Sequence, residues 1–215
     1  AGEHNHVPVL VGSTADEGSA LFPAAEPTRE AYEAQVRSQL GPGADAILAA
    51  YADVAASSPR RAAAEIRSDR IFALPMRTWA RLVERGGNDA FLYYFSQVPP
   101  VFLLYLPGRE LEGEPAANRD YGAYHSGDLA YVFDNVGRVG SGWSDGDIAL
   151  AEAMSTYWTH FARHGDPNGD GVPPWPRYEA ASDQALELGP EIRIIRGLRR
   201  AHLDAWDAVQ PIVTE

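Results

Sequence analysis

Residues 7–22 read VPVLVGSTADEGSALF, and the remainder of the chain can be laid out around them. The run 7–11 is short and rich in β-branched residues, with Pro8 near its start and Gly12 after its end. Stiff side chains and a length too short for a helix make it a buried parallel strand. The acidic pair Asp16 and Glu17 falls where such a strand runs out, and Gly18 follows directly. In open α/β sheets the chemistry is done at the carboxyl ends of strands, so Glu17 is a candidate site residue. Taken alone, an Asp-Glu-Gly triplet is more often a solvated turn.

Downstream, Pro27 and Thr28 precede an alanine-rich helix predicted over 29–40, which Gly41 and Pro42 stop. A second helix is predicted over 44–55. Ser58 as N-cap and Pro59 at the first helical position then start a third, running towards Arg85 with a break or kink near Pro75. After Gly86 and Gly87 the stretch 89–97 is nearly continuous in apolar residues, as strands covered on both faces are. Strand, helices and strand make a βαβ unit, expected to be right-handed. Residues 98–120 read as loop, with an apolar patch at 101–106 suited equally to a pocket wall or a core contact. His125 follows in the segment 121–135.

Beyond a glycine-rich linker, Ser144 and Asp147 form a capping-box pattern. They open a helix whose Leu150, Met154, Tyr157, Trp158 and Phe161 share one face. Gly165 ends it, 173–178 is extended, 184–188 and 192–195 are short strands, and 197–209 is a closing helix.

Composition narrows the partners. The 215 residues, 45% hydrophobic and 22% charged, suit one globular domain or a large piece of one. A formal charge of −12 argues against nucleic acid or an anionic membrane surface as partner. No apolar run approaches the roughly 20 residues of a membrane-spanning helix. The opening AGEHNHVP does not read as a secretory leader, and the compartment stays open. With no cysteine, thiolate nucleophiles and Cys-based metal sites are excluded; all 18 basic residues are arginine, so there is no lysine base.

His125 is flanked by small and polar residues (Ala123, Ser126, Gly127, Asp128), a setting that lets an imidazole project into a cleft and exchange protons near neutral pH. The competing reading is a hydrogen-bonded surface histidine. Glu17 and His125 lie 125 − 17 = 108 residues apart, yet both follow parallel strands, so the fold could join them. A carboxylate on one ring nitrogen leaves the other free to take a proton from a hydroxyl.

Metal readings fail on their details. Asp166, Asn168 and Asp170 match the first half of a calcium loop, but its twelfth position is Arg177 rather than a glutamate. His160 and His164 are one helical turn apart without the glutamate or third ligand of a zinc site, and the pair His4 and His6 at the chain end matches no metal-ligand pattern. No metal and no cofactor is expected. The one Gly-x-Ser-x-Gly match, Gly142 to Gly146, centres on the helix-capping Ser144 after a glycine-rich linker and not on a strand-to-helix elbow, so the nucleophile such a Glu–His pair would serve is expected outside this sequence.

Four segments, in order, carry a resemblance. VPVLVGSTADEGSALF resembles the stretch bearing the triad acid in type B carboxylesterases, the cholinesterase and para-nitrobenzyl esterase family. DAFLYYF is similar to the strand before that family's histidine loop, and GAYHSGDLAYVFDN to the histidine segment itself. YWTHFARHGDPNG followed by WPRY resembles its late helix and the WP-x-Y stretch after it. Ser126 and Asp128 depart from the more usual Gly and Glu, and Asn135 from a common glycine.

The resemblance implies an α/β fold, the C-terminal part of an α/β-hydrolase with parallel strands and crossover helices, residues 1–215 belonging to one such domain. It implies a serine carboxylic-ester hydrolase in which Glu17 is the acid and His125 the base. The serine and oxyanion hole would come from an N-terminal part, on the same or a separate chain, and this chain alone would be inactive on small-molecule esters. A non-catalytic interaction module on the same fold is the alternative, disfavoured because Glu17 and His125 are both retained.

Overall fold

The computed structural model describes residues 5–21, 27–101, 121–138 and 140–210. Its centre is a four-stranded sheet in the order β1-β2-β3-β4: β1 Val9–Thr14, β2 Ala90–Phe95, β3 Gln184–Leu188 and β4 Ile192–Arg196. β1 and β2 run parallel, Val9 opposite Ala90 through Thr14 opposite Phe95. β3 is parallel to β2, and β4 returns antiparallel to β3, so the sheet is mixed. The first strand starts two residues later than its β-branched run does. Pro8 cannot donate to a ladder, and the pairing begins where the Val9 amide donates to the Asp89 carbonyl at 2.9 Å.

Alternation along β2 assigns each face its core. Ala90 and Leu92 join Val11, Ala185 and the helices of one side; Phe91 and Phe95 join Leu186, Leu188 and Trp175 on the other. The first side is covered by α2 (Arg29–Leu40), α3 (Ala44–Ala50), α4 (Ala52–Ser57), α5 (Pro59–Ser68), α6 (Leu74–Arg85) and α9 (Arg200–Val209). They are preceded by the short α1 (Glu17–Leu21) at the end of β1. The opposite side is covered by α7 (Leu129–Val132) and the long α8 (Asp145–His164), whose Leu150, Met154 and Tyr157 are buried. No described helix is long and apolar enough to cross a membrane.

The helix signals behave as their chemistry requires. Thr28 caps α2 by accepting from the Ala31 amide at 3.2 Å, and Ser58 caps α5 by accepting from Arg61 at 3.1 Å. The segment 44–55 breaks in two at the buried Tyr51, whose hydroxyl donates to Asp69. Near Pro75 the chain does not stop. A π-helical turn, Asp69–Ala73, inserts one residue ahead of the proline and absorbs the hydrogen bond that the ring nitrogen cannot make. The apolar patch 101–106 lies outside the described residues except for Val101, which is buried and whose carbonyl accepts from the Tyr124 hydroxyl.

Candidate active site

Where β1 ends, the backbone turns through Ala15 and Asp16 straight into α1, so Glu17 is the first residue of a short helix rather than part of an open turn. Three bonds fix it. The Thr14 amide donates to Glu17 Oε1 at 2.8 Å, the Gly18 amide to Ser68 Oγ of α5 at 2.7 Å, and the Ser19 amide to the Asp16 carbonyl at 2.9 Å. Glu17 is 5% exposed. Burial raises its proton affinity above the ordinary glutamate range, opposed by the Thr14 amide and by His125.

The histidine segment reaches this point through a small clamp outside the sheet. Asp16 and Tyr124 form a parallel bridge, with the Asp16 amide donating to the Ala123 carbonyl at 2.9 Å. The Asp16 side chain completes it: Oδ2 accepts from the Ala123 amide at 2.9 Å. Gly122 packs so closely here, at φ +60°, that a Cβ would overlap the Asp16 carboxylate. Two turns follow, closed by Gly127 N–H to the Tyr124 carbonyl at 2.9 Å and Leu129 N–H to the Ser126 carbonyl at 3.2 Å. Ser126 itself is left-handed at φ 69°, a backbone state that glycine adopts without steric cost.

Between those turns His125 meets Glu17, its Nδ1 lying 2.5 Å from Oε2. The ring packs at a tilt on Phe72 of the π-helical turn, with centroids 5.1 Å apart. Its side chain is 35% exposed, and among the described residues Nε2 makes no hydrogen bond. The two carboxylate oxygens of Glu17 are thus divided, one on the backbone and one on the imidazole. That arrangement holds the ring in one tautomer and leaves Nε2 to exchange protons with a group in the cleft. The two residues singled out in the sequence are therefore brought together, 108 positions apart.

Other contributors had weaker sequence signals. Asp16 reads as the lesser half of an acidic pair, yet it is the clamp. Tyr93, one of five apolar residues in a strand, donates its hydroxyl to Asp128 Oδ2 at 3.1 Å. Asp147, legible as a capping residue, also accepts from Tyr131 and Gln97 at 2.7 and 2.8 Å. It thereby ties the end of β2 and α7 to the start of α8.

The metal-like motifs have other occupations. Asp166 Oδ1 accepts from the amide of Asn168 at 2.9 Å, and the Asn168 side chain brackets the backbone of Trp175, at 2.7 and 2.9 Å. His160 Nδ1 lies 3.1 Å from the Asn168 carbonyl, and its ring is 6.3 Å from that of His164. His6 neighbours Asn88, while His4 is outside the described residues. Among the described residues no three His, Asp or Glu side chains converge as a metal would require.

A mixed α/β sheet, covered on both faces, with a carboxylate and an imidazole meeting beyond its strand ends is the C-terminal part of an α/β-hydrolase fold. The chain belongs to the carboxylesterase family, whose model matches residues 1–206. It is 30% identical over 148 residues to carboxylesterase 3 of Pongo abelii, an alignment covering 68% of this chain and 25% of that protein. With carboxylesterase 5A of Canis lupus familiaris it shares 30% identity over 154 residues, covering 69% and 25% respectively. The structure of a thermophilic PNB esterase superposes with a TM-score of 0.67 at 23% identity, over 91% of this chain and 38% of that one. The chain thus spans about a quarter of the length of these curated relatives.

Proposed function

We propose that this chain supplies the acid and base of a serine carboxylic-ester hydrolase, with Glu17 as acid and His125 as base. The observation that carries the reading is the 2.5 Å contact between Glu17 Oε2 and His125 Nδ1, with Nε2 left unbonded among the described residues. Family membership supports ester hydrolysis as the class of chemistry. The nucleophilic serine and the oxyanion donors come, in this proposal, from an N-terminal part of the same hydrolase domain, on the same or another polypeptide.

The proposed steps are those that a paired carboxylate and imidazole perform for a serine. Nε2 takes the proton of the incoming serine as its oxygen attacks the ester carbonyl, and the imidazolium forms beside Glu17. Glu17 stabilises that cation and keeps Nδ1 protonated throughout. Nε2 then gives the proton to the leaving alcohol, and the acyl-enzyme is hydrolysed by water through the same sequence.

The test is turnover of a chromogenic short-chain ester by the 215 residues alone and joined to the N-terminal part. The isolated chain is expected to be inactive. In the joined protein, His125→Gln is expected to lower turnover by a factor on the order of 10⁶, and Glu17→Gln by roughly 10⁴. Full turnover by His125→Gln would remove the base assignment, and turnover by the isolated chain would show that the nucleophile lies within it.

A further inference from the structure

Glu17 is held between two anchors of different kinds. On one side Asp16 is bridged to the histidine segment through Ala123 and Tyr124, an attachment that travels with His125. On the other side Gly18 is attached to a separate element. Its amide is one of the donors that a helix start leaves without an intrahelical acceptor, and it donates at 2.7 Å to Oγ of Ser68, the last residue of α5. The Ser68 hydroxyl hydrogen is already committed, donating to the Ala64 carbonyl at 3.0 Å, so the oxygen presents a lone pair to Gly18. Here the two chains meet backbone to backbone: a Cβ at Gly18 would lie 2.4 Å from the Ala64 carbonyl oxygen and 3.0 Å from Ser68 Oγ. Ser68 is buried, and α1, at five residues, is too short to hold its shape without such support. A serine that only bonded back to its own helix would leave that lone pair unused; this one spends it on a residue 50 positions away.

We propose that Ser68 is a positioning residue for Glu17: by holding the Gly18 amide to α5, its hydroxyl keeps the Glu17 carboxylate within bonding distance of His125 Nδ1. Its part in catalysis rests on the ester-hydrolase reading above. The carboxylate's own bonds do not perform this task. Oε1 takes the Thr14 amide, three residues back along the chain, and Oε2 meets the imidazole at 2.5 Å. Both constrain the side chain, whereas Ser68 ties the main chain beside Glu17 to the helical layer. The same stretch of chain reaches the histidine as well. Four residues beyond Ser68, Phe72 of the π-helical turn packs on the imidazole with centroids 5.1 Å apart. Acid and base are therefore both set against one continuous segment, through Ser68 for the carboxylate and Phe72 for the ring. Without the Ser68 hydroxyl the buried Gly18 amide is a donor lacking a partner, and α1 recovers a bond only by shifting. Such a shift moves Glu17 away from a ring that Phe72 still holds.

The deciding experiment follows the proton between Nδ1 and Oε2 by NMR in the 215-residue chain, which needs no nucleophile and so succeeds or fails independently of the esterase reading. A proton in so short a charge-assisted bond resonates at low field, and its loss in His125→Gln assigns it. Ser68→Ala removes the acceptor and adds no bulk. It is expected to move that resonance upfield and to speed its exchange with water about fivefold, the worth of one hydrogen bond. Ser68→Thr keeps the hydroxyl and is expected to hold both at wild-type values. A role confined to stability would lower the urea midpoint of Ser68→Ala and leave the resonance where it was. A folded Ser68→Ala chain with unchanged resonance and exchange, or a Ser68→Thr chain that behaves like it, overturns the proposal. Should Ser68→Ala not fold, the wild-type Gly18 amide decides. It must be protected against hydrogen exchange as the Thr14 amide is, and a Gly18 amide that exchanges like an unbonded one overturns the proposal equally. In the joined protein Ser68→Ala is expected to lower kcat about tenfold with KM unchanged. An intact kcat beside a shifted resonance would remove the part assigned to Ser68 in catalysis.

Discussion

Asp16 shows what one carboxylate does beyond its place in an acidic pair. Its oxygen closes the bridge that carries the histidine segment to the end of β1, and burial raises its proton affinity despite the Ala123 amide. The sign of the resulting pH dependence is fixed. Because the folded state holds the proton more tightly than the unfolded chain, the stability linked to Asp16 is present in full below the ordinary aspartate range, near pH 4. It is lost as pH rises through the folded-state value. Asn at this position keeps an acceptor but has no proton to gain or lose. The stability of Asp16→Asn relative to wild type is therefore expected to improve from pH 4 to pH 7, read from urea midpoints. A difference that does not vary with pH would show that the buried charge carries no penalty.

Among elements, α9 is tied to the helical layer by charge rather than by apolar contact alone. Arg199, left-handed at φ 43° at its N-cap, donates to Asp69 Oδ1 and Oδ2 at 2.6 and 2.8 Å and to Glu65 at 2.9 Å. Asp69 belongs to the π-helical turn that also presents Phe72 to His125, so this pairing braces the ring's support. Removing one partner of such a buried set leaves the others uncompensated. Arg199→Met is expected to lower stability by about 3–5 kcal/mol. It should also loosen the π-helical turn, measured as faster amide exchange across residues 69–73. Loss near 1 kcal/mol or less would mean that water satisfies Asp69 without the arginine. Sequence signals located these helices by their caps and stops, but nothing in the composition of 59–85 distinguishes a proline kink from a π-helical insertion. Asp69 of that turn finds its partners both 18 residues upstream, at Tyr51, and 130 residues downstream, at Arg199.

For the molecule as a whole, one flank lacks cover among the described residues. β1 pairs only with β2, leaving its outer edge unpaired, and the groove beside Tyr93 and Trp158 is bordered by exposed Leu129 and Phe133, the latter 67% accessible. Open strand edges and apolar patches promote association. The isolated chain is expected to bind the dye ANS and to self-associate at micromolar concentration despite its charge of −12, measured by fluorescence and sedimentation velocity. A monomer silent to ANS would show that this flank is stable uncovered.

The order of strands and helices was legible because it rests on local chemistry: branched runs, caps and stops. Local chemistry alone left Glu17 and His125 as candidates beside blander readings, and the resemblance of whole segments singled them out. The mismatch to a calcium loop was likewise readable in the sequence, as Arg177 where that pattern has a glutamate. Only the tertiary structure decided that Asp16 would be the clamp, that Tyr93 would anchor Asp128, and that the break at 75 would become an insertion at 69–73. Each of those involves a partner 35 to 130 residues away, brought close by the sheet. Spacing along the chain carries no record of such pairs, since it is packing across the strands that fixes which polar groups are buried together.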